Sequence, residues 1–182
     1  MERGERKNIF QNLIIYYFVC SVVGWILEMI YGFMVFGHFV DRGFLYGPIC
    51  HIYGYGAMLM VLIAEFMKNK KHLNIFLKIV IITVLFTLLE YTSSLMLELM
   101  FGLRWWDYTN EFLNLNGRVC LIFSLTFGIM GTAFVELVYE PSKRLIEKIR
   151  ERVSNKVIWI VVITFIAIWV SDTIISTLRY II

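Results

Sequence analysis

The residues best suited to chemistry in this chain are carboxylates, guanidinium groups and aromatic side chains that gather around one loop. The loop from Arg104 to Arg118 carries two Arg, two acids, three Asn and a pair of Trp, in a sequence that is otherwise mostly apolar. Carboxylate and guanidinium groups can bind a charged solute, exchange protons, or pair with each other as a structural lock. Seven residues are the candidates for such a polar site: Glu28, Arg42, Glu90, Trp106, Asp107, Asn114 and Arg118.

The elements that must position these residues are membrane helices. Of the 182 residues, 59% are hydrophobic and only 17% are charged, too few to cover the surface of a soluble domain of this size. The apolar residues come in runs long enough to cross a bilayer, which needs about 20 residues. The sequence therefore predicts an all-α, polytopic membrane helix bundle in a single membrane domain. Five helices are expected, at about 9–31, 48–67, 73–101, 119–139 and 157–178, with Pro48 opening the second and Pro141 ending the fourth.

The distribution of Lys and Arg predicts which side of the membrane each loop faces. Thirteen of the 17 basic residues precede the first helix, follow the second or follow the fourth, and the other four, all Arg, lie on the opposite side. Cytoplasmic loops are enriched in Lys and Arg. We therefore expect the N-terminus inside, the C-terminus outside, and the loop from Arg104 to Arg118 on the outer face.

This topology places several acids in the outer half of the membrane, among them Glu28, Glu90, Glu98 and Asp172. A carboxylate in hydrocarbon costs roughly 2.5–3.5 kcal/mol, so these acids should be paired, protonated or in a wet cavity. We predict that the loop residues Asp107 and Arg118 turn inward to meet them. Their expected neighbours are Glu28, Glu90 and Arg42.

Residues 142–156 form a basic stretch with apolar side chains, such as Leu145 and Ile149, on one side. This pattern predicts an amphipathic helix lying on the cytoplasmic face of the membrane. Such a segment can reflect topology alone, or it can bind anionic lipid or a cytoplasmic partner. The sequence does not distinguish among these roles of the segment.

The sequence contains no ligand pattern for a metal or a cofactor. Its three Cys, at 20, 50 and 120, have no metal-binding spacing, and its three His are scattered. No nucleophile motif is present that would assign a catalytic residue. We expect no metal, no cofactor and no nucleic-acid partner.

A set of short motifs resembles a known family. The first half supplies Gly24-Trp25 with Glu28, the run from Arg42 to Pro48, and Tyr53-Gly54; the second supplies Glu90, Trp106-Asp107-Tyr108, Asn114 and Gly117-Arg118. Together they resemble a family of small bacterial membrane proteins described as ABC-transporter permeases of type IV. The resemblance implies a multi-pass protein of the bacterial cytoplasmic membrane. The chain departs from the family's expected pattern at His51, where we expect Pro.

Three classes of function are compatible with these observations. The first, which we favour, is a permease-like transport component with an outward-facing charged site; the chain has no Walker A motif, so a separate ATPase subunit would supply the energy. The second is an accessory or regulatory membrane protein, not a catalyst, whose charges are structural. The third and least favoured is a membrane enzyme acting on a lipid head group. The bilayer is a partner in all three, and a homo-oligomer is compatible with each.

Overall fold

The computed structural model describes residues 3–38, 47–68 and 73–181; for residues 3–7 and 180–181 only the backbone is described. These residues form six α-helices and one short π-helical segment, and no strand occurs among them. The helices are α1 (Arg3–Phe36), α2 (His51–Met67), α3 (Ile75–Phe101), α4 (Leu121–Ala133), α5 (Tyr139–Arg152) and α6 (Asn155–Ile181), with the π segment at Phe134–Val138 between α4 and α5. The predicted all-helical fold is confirmed.

Four continuous helical segments are long and apolar enough to cross a membrane. They are Asn8–Phe36, Ile75–Phe101, Leu121–Arg152 and Asn155–Arg179. The fifth apolar helix, α2, has 17 residues and is shorter than these four. Many of their large apolar side chains are exposed, which suits helices whose outer surface meets lipid rather than water. The chain is thus a polytopic membrane helix bundle, as the composition predicts.

Neither proline has the role in its helix that the sequence predicts. Pro48 precedes α2, which begins at His51, so it does not open that helix. Pro141 does not end the fourth helix, because helical structure continues to Arg152. The wider π turn, in which the Tyr139 amide donates to the Phe134 carbonyl, lies just before Pro141. Such a turn changes the local register of the backbone bonds, which accommodates a proline ring and its missing N–H within the helix.

The chain forms two compact units. Unit 1 comprises Met1–Leu59 and Ser142–Ile182, and unit 2 comprises Met60–Pro141. The core of unit 1 joins α1 to α6, where Phe18 stacks on Phe165 with ring centroids 4.4 Å apart. Close backbone approach brings the first half of α2 against α1 in the same unit. A Cβ on Gly24 would collide with the ring of Tyr53, so no larger residue fits there without a shift.

Unit 2 is built on the packing of α3 against α4. Gly128 faces Thr83 and Gly131 faces Ile82, with no space for a Cβ at either glycine. Small residues on one face of α4 therefore serve close packing against α3. Near the start of α3, Lys78 forms an ion pair with Glu136 at 2.6 Å. At the other end of these helices, the loop between α3 and α4 contains four of the seven predicted site residues, namely Trp106, Asp107, Asn114 and Arg118.

Candidate functional site

The loop between α3 and α4 is a folded structure with its own backbone hydrogen bonds. Gly102 ends α3 in the left-handed conformation, at φ +67°, and its amide donates to the Glu98 carbonyl at 2.8 Å. Further along, Asn116 and Gly117 both have positive φ, 54° and 68°, as a type I′ turn requires. Across this turn the Arg118 amide donates to the Leu115 carbonyl at 3.0 Å. The turn fixes where the Arg118 backbone lies relative to the rest of the loop.

Two of the predicted site residues hold the loop in shape. Asp107 accepts the Thr109 amide at 2.9 Å and also the Thr109 hydroxyl. Asn114 donates to the carbonyls of Thr109 and Glu111, each at 3.0 Å, and accepts the Gly117 amide at 3.1 Å. These are local turn interactions of the kind that Asp and Asn side chains favour.

Asp107 is exposed, and its carboxylate caps a turn of its own loop. The expectation that it turns inward is therefore wrong. Its hydrogen bonds with the Thr109 hydroxyl and amide, together with the charge of Arg104, lower the pKa of Asp107 below the ordinary value for an aspartate. The physical reason is that a short side chain two residues before a free amide bonds it locally more readily than it reaches a distant acid.

A network of three charges ties the loop to α3. Glu98 forms ion pairs with Arg104 at 3.1 Å and with Arg118 at 2.6 Å. Arg118 is only 8% exposed, and its guanidinium carbon lies 5.7 Å from the centre of the Tyr91 ring. The indole N–H of Trp106 donates to the Arg118 carbonyl at 2.9 Å. Arg118 is thus held by an acid, an aromatic face and a tryptophan.

Glu90 is the second buried charge of unit 2, at 6% exposure. One of its carboxylate oxygens accepts the Tyr108 hydroxyl at 3.1 Å, and the Tyr108 ring stacks on Phe123 with centroids 4.9 Å apart. The other oxygen, Oε2, has no hydrogen-bond partner among the described residues. The same holds for Nε and Nη1 of Arg118. These buried atoms are the unsatisfied polar groups of the predicted site.

The remaining predicted residues lie elsewhere in the chain. Glu28 belongs to unit 1, where it accepts the Tyr53 hydroxyl at 2.8 Å. A further acid of that unit, Asp172, accepts the Gly47 amide at 3.0 Å and the Ser176 hydroxyl at 3.2 Å. Arg42 lies outside the described residues. Unit 2 thus brings together five of the seven predicted residues, namely Glu90, Trp106, Asp107, Asn114 and Arg118.

Sequence reasoning left several members of this network out of the candidate set. Glu98 lies two turns from Glu90 on α3, and that spacing is a usable signal. The Asn116-Gly117 pair is a strong hairpin signal that would have shown Arg118 leaving a tight turn. Tyr108 stands in the Trp106-Asp107-Tyr108 motif, which marks the residue but not its partner, and Tyr91, in the middle of α3, carries no signal of its own.

No three His, Cys, Asp or Glu residues come close enough to hold a metal ion within residues 3–38, 47–68 and 73–181. In the described part of the chain, ion pairs hold the loop against α3. Buried polar atoms of Glu90 and Arg118 in the same region have no hydrogen-bond partner there. Such an arrangement can bind water or a small polar solute, or it can serve to fix the loop.

The helix bundle and its exposed apolar surface define an integral, multi-pass membrane protein. The family model described as "Putative ABC-transporter type IV" matches residues 15–177, and the chain belongs to that family. Comparison with curated proteins and with solved structures found no match.

Proposed function

We propose that this protein is the permease-like membrane subunit of an ABC transporter of the bacterial cytoplasmic membrane, working with a separate ATPase subunit. Membership of the family and the four long apolar helices support the transport setting. The observation that carries the proposal is the pair of buried charges in unit 2, Glu90 and Arg118, each with polar atoms that lack a partner in the described chain.

An unsatisfied buried polar group costs about 1–3 kcal/mol, so a protein retains it where water or a ligand supplies the missing bond. Glu90 is an acid and Arg118 a base, and both are held by aromatic residues of unit 2. A small polar or charged solute could satisfy either or both. The site would take its solute from the outer face, where the distribution of Lys and Arg places the loop between α3 and α4.

A second candidate is an accessory membrane protein whose charges are structural. A specific observation favours it: Glu98 engages both Arg104 and Arg118, and this joins the loop to α3. Asp107 and Asn114 are likewise satisfied by turn contacts. A membrane enzyme acting on lipid head groups has no observation in its favour among the described residues.

Solute uptake into membrane vesicles distinguishes these functions. Vesicles with and without the protein would be compared for uptake of labelled amino acids, carboxylates, inorganic anions and amines. We expect uptake of one class to require the protein and to fall at least tenfold in Glu90→Gln. Glu111→Gln is the matched control, since it removes the same charge from an exposed position of the neighbouring loop.

Co-purification of an ATPase subunit with the wild-type chain tests the partner. Protein-dependent uptake that is equal in Glu90→Gln and wild type would reject the site. An ATPase that co-purifies without any protein-dependent flux would favour the accessory function.

A further inference from the structure

The surface of α5 in unit 1 has two chemically distinct edges that the transport site does not use. Arg144, Lys148 and Arg152 follow one another at intervals of four residues and are all exposed; we call them the basic edge. At four residues a step they form one line, about 12 Å long at 1.5 Å per residue. Beside this line lie Leu145 and Ile149, which are 60% and 49% exposed.

The opposite side of α5 is fastened to α1. The Ser142 and Tyr16 hydroxyls hydrogen-bond at 2.6 Å, and Arg150 donates to the Asn12 side chain at 2.7 Å. Just beyond α5, Asn155 accepts from Gln11 at 3.4 Å. Because α5 is held on this side, its basic edge and the two apolar residues have a fixed orientation away from α1.

The basic edge is unpaired within the described chain, although Glu140, Glu147 and Glu151 lie on the same helix. None of its three residues forms an ion pair with a residue in the described ranges. Like charges four residues apart repel, so this line costs helix stability. That cost is offset where an external anion lies along the line.

The position of α5 indicates which anion this is. The apolar span of α6 begins at Asn155, three residues after Arg152, so the end of α5 lies at a membrane boundary. At that level the adjacent anions are lipid phosphates, and side chains such as Leu145 and Ile149 can enter the acyl boundary beside them. Two exposed apolar residues suit shallow insertion at a lipid boundary better than the extensive apolar core of a protein interface.

We propose that the basic edge of α5, together with Leu145 and Ile149, binds the head groups of anionic phospholipids in the cytoplasmic leaflet. The arginine and lysine side chains contact phosphate, and the two apolar side chains anchor the helix at the boundary. The leaflet assignment follows from the positive-inside distribution of charge. The proposal does not depend on whether the protein transports a solute.

Lipid binding by the full-length protein in a neutral maltoside detergent tests this surface. The probes are dioleoylphosphatidylglycerol and, as the neutral reference, dioleoylphosphatidylcholine, with bound lipid counted by native mass spectrometry. Each basic residue near an anionic surface contributes about 1 kcal/mol, so Arg144→Gln, Lys148→Gln and Arg152→Gln should each weaken phosphatidylglycerol binding about fivefold. The triple variant should lose about a hundredfold, and phosphatidylcholine binding should not change.

The same helix supplies a matched control. Glu147→Gln with Glu151→Gln alters charge at exposed positions of α5 outside the basic edge and should leave phosphatidylglycerol binding equal or tighter. Leu145→Ser with Ile149→Ser should weaken binding with all charges intact. Equal phosphatidylglycerol binding by the triple variant and the wild type would overturn the proposal. So would loss of a co-purifying acidic protein from the triple variant with lipid binding unchanged, because the edge would then be a protein-docking site.

Discussion

Arg118 forms its ion pair with Glu98, at 2.6 Å, so the end of the loop between α3 and α4 is tied to α3 near the point where that helix stops. The relationship joins two residues that are 20 positions apart in the sequence and sets the register of the loop on the helix. Arg104 adds a second ion pair to the same carboxylate, at 3.1 Å. One acid therefore fixes both ends of a segment that would otherwise be a long, open connection.

Removal of this acid should loosen the loop. In Glu98→Gln both ion pairs lose their charge, and the buried Arg118 guanidinium retains a positive charge without an ionised partner, which is unfavourable at low exposure. We expect a lower Tm for the full-length protein in detergent and faster proteolysis within residues 102–120. Glu111→Gln, which removes a charge from the same loop without breaking an ion pair, should leave both unchanged. Equal Tm values for the two variants would show that the pairs do not hold the loop.

Gly117 is expected to tolerate no side chain, for two separable reasons. Its φ of +68° is unfavourable for any L-residue, by roughly 1–2 kcal/mol. In addition, a Cβ there would lie 2.5 Å from Asp107 Oδ1 and 2.6 Å from Thr109 Oγ1. Gly102 isolates the first reason, since it has a similar φ of +67° and nothing within 4 Å of a Cβ.

We therefore expect Gly117→Ala to lower the free energy of unfolding by more than Gly102→Ala, which should cost about 1 kcal/mol. Chemical denaturation of both variants in the same detergent gives the comparison. Equal losses would mean that the Asp107 turn adjusts freely and contributes little to the loop.

The stability that Asp107 contributes depends on pH, and the direction of that dependence follows from its lowered pKa. Its pKa is lowered in the folded state by the Thr109 hydroxyl and amide, so the folded protein favours the carboxylate. The resulting stability is present above the pKa of an unfolded aspartate and is lost as the pH falls through the lowered folded pKa. The Tm of Asp107→Asn should lie below that of the wild type at neutral pH, and the two should converge in acid. A constant difference at every pH would exclude this linkage.

The sequence predicts the class of fold well because apolar runs report directly on membrane spans. It predicts helix ends poorly, as Pro141 shows, because a π turn upstream of a proline has no simple residue pattern. For the polar site, the spacing of Glu90 and Glu98 indicates that both acids lie on one face of α3. The sequence does not indicate which partner each acid binds. Glu98 takes Arg118 and Glu90 takes Tyr108 because the Asn116-Gly117 turn and the Tyr108–Phe123 stack decide which side chain reaches which acid. Such choices depend on tertiary geometry that residue types alone do not encode.

Tyr108 and Glu90 should be energetically coupled. Tyr108→Phe keeps the stack on Phe123 and removes the hydroxyl that donates to Glu90, so the buried carboxyl loses a described hydrogen bond. We expect a loss of about 1–3 kcal/mol in the free energy of unfolding. Tyr91→Phe is the control, because its hydroxyl bonds the exposed Asn116 and not a buried acid, and it should cost less.

A double-mutant cycle of Tyr108→Phe with Glu90→Leu, which removes the acceptor as well as the charge, measures the coupling; it should be about 1 kcal/mol or more for residues in direct contact. Glu90→Gln, which keeps an acceptor for the Tyr108 hydroxyl, separates a binding site from a structural lock. If Glu90 serves a solute, Glu90→Gln should abolish uptake while it leaves the free energy of unfolding nearly unchanged or increases it, since a neutral amide is easier to bury than a carboxylate. If Glu90 serves the fold, the variant should lower stability and leave uptake intact in the fraction that folds. Coupling near zero would contradict the Tyr108–Glu90 contact itself.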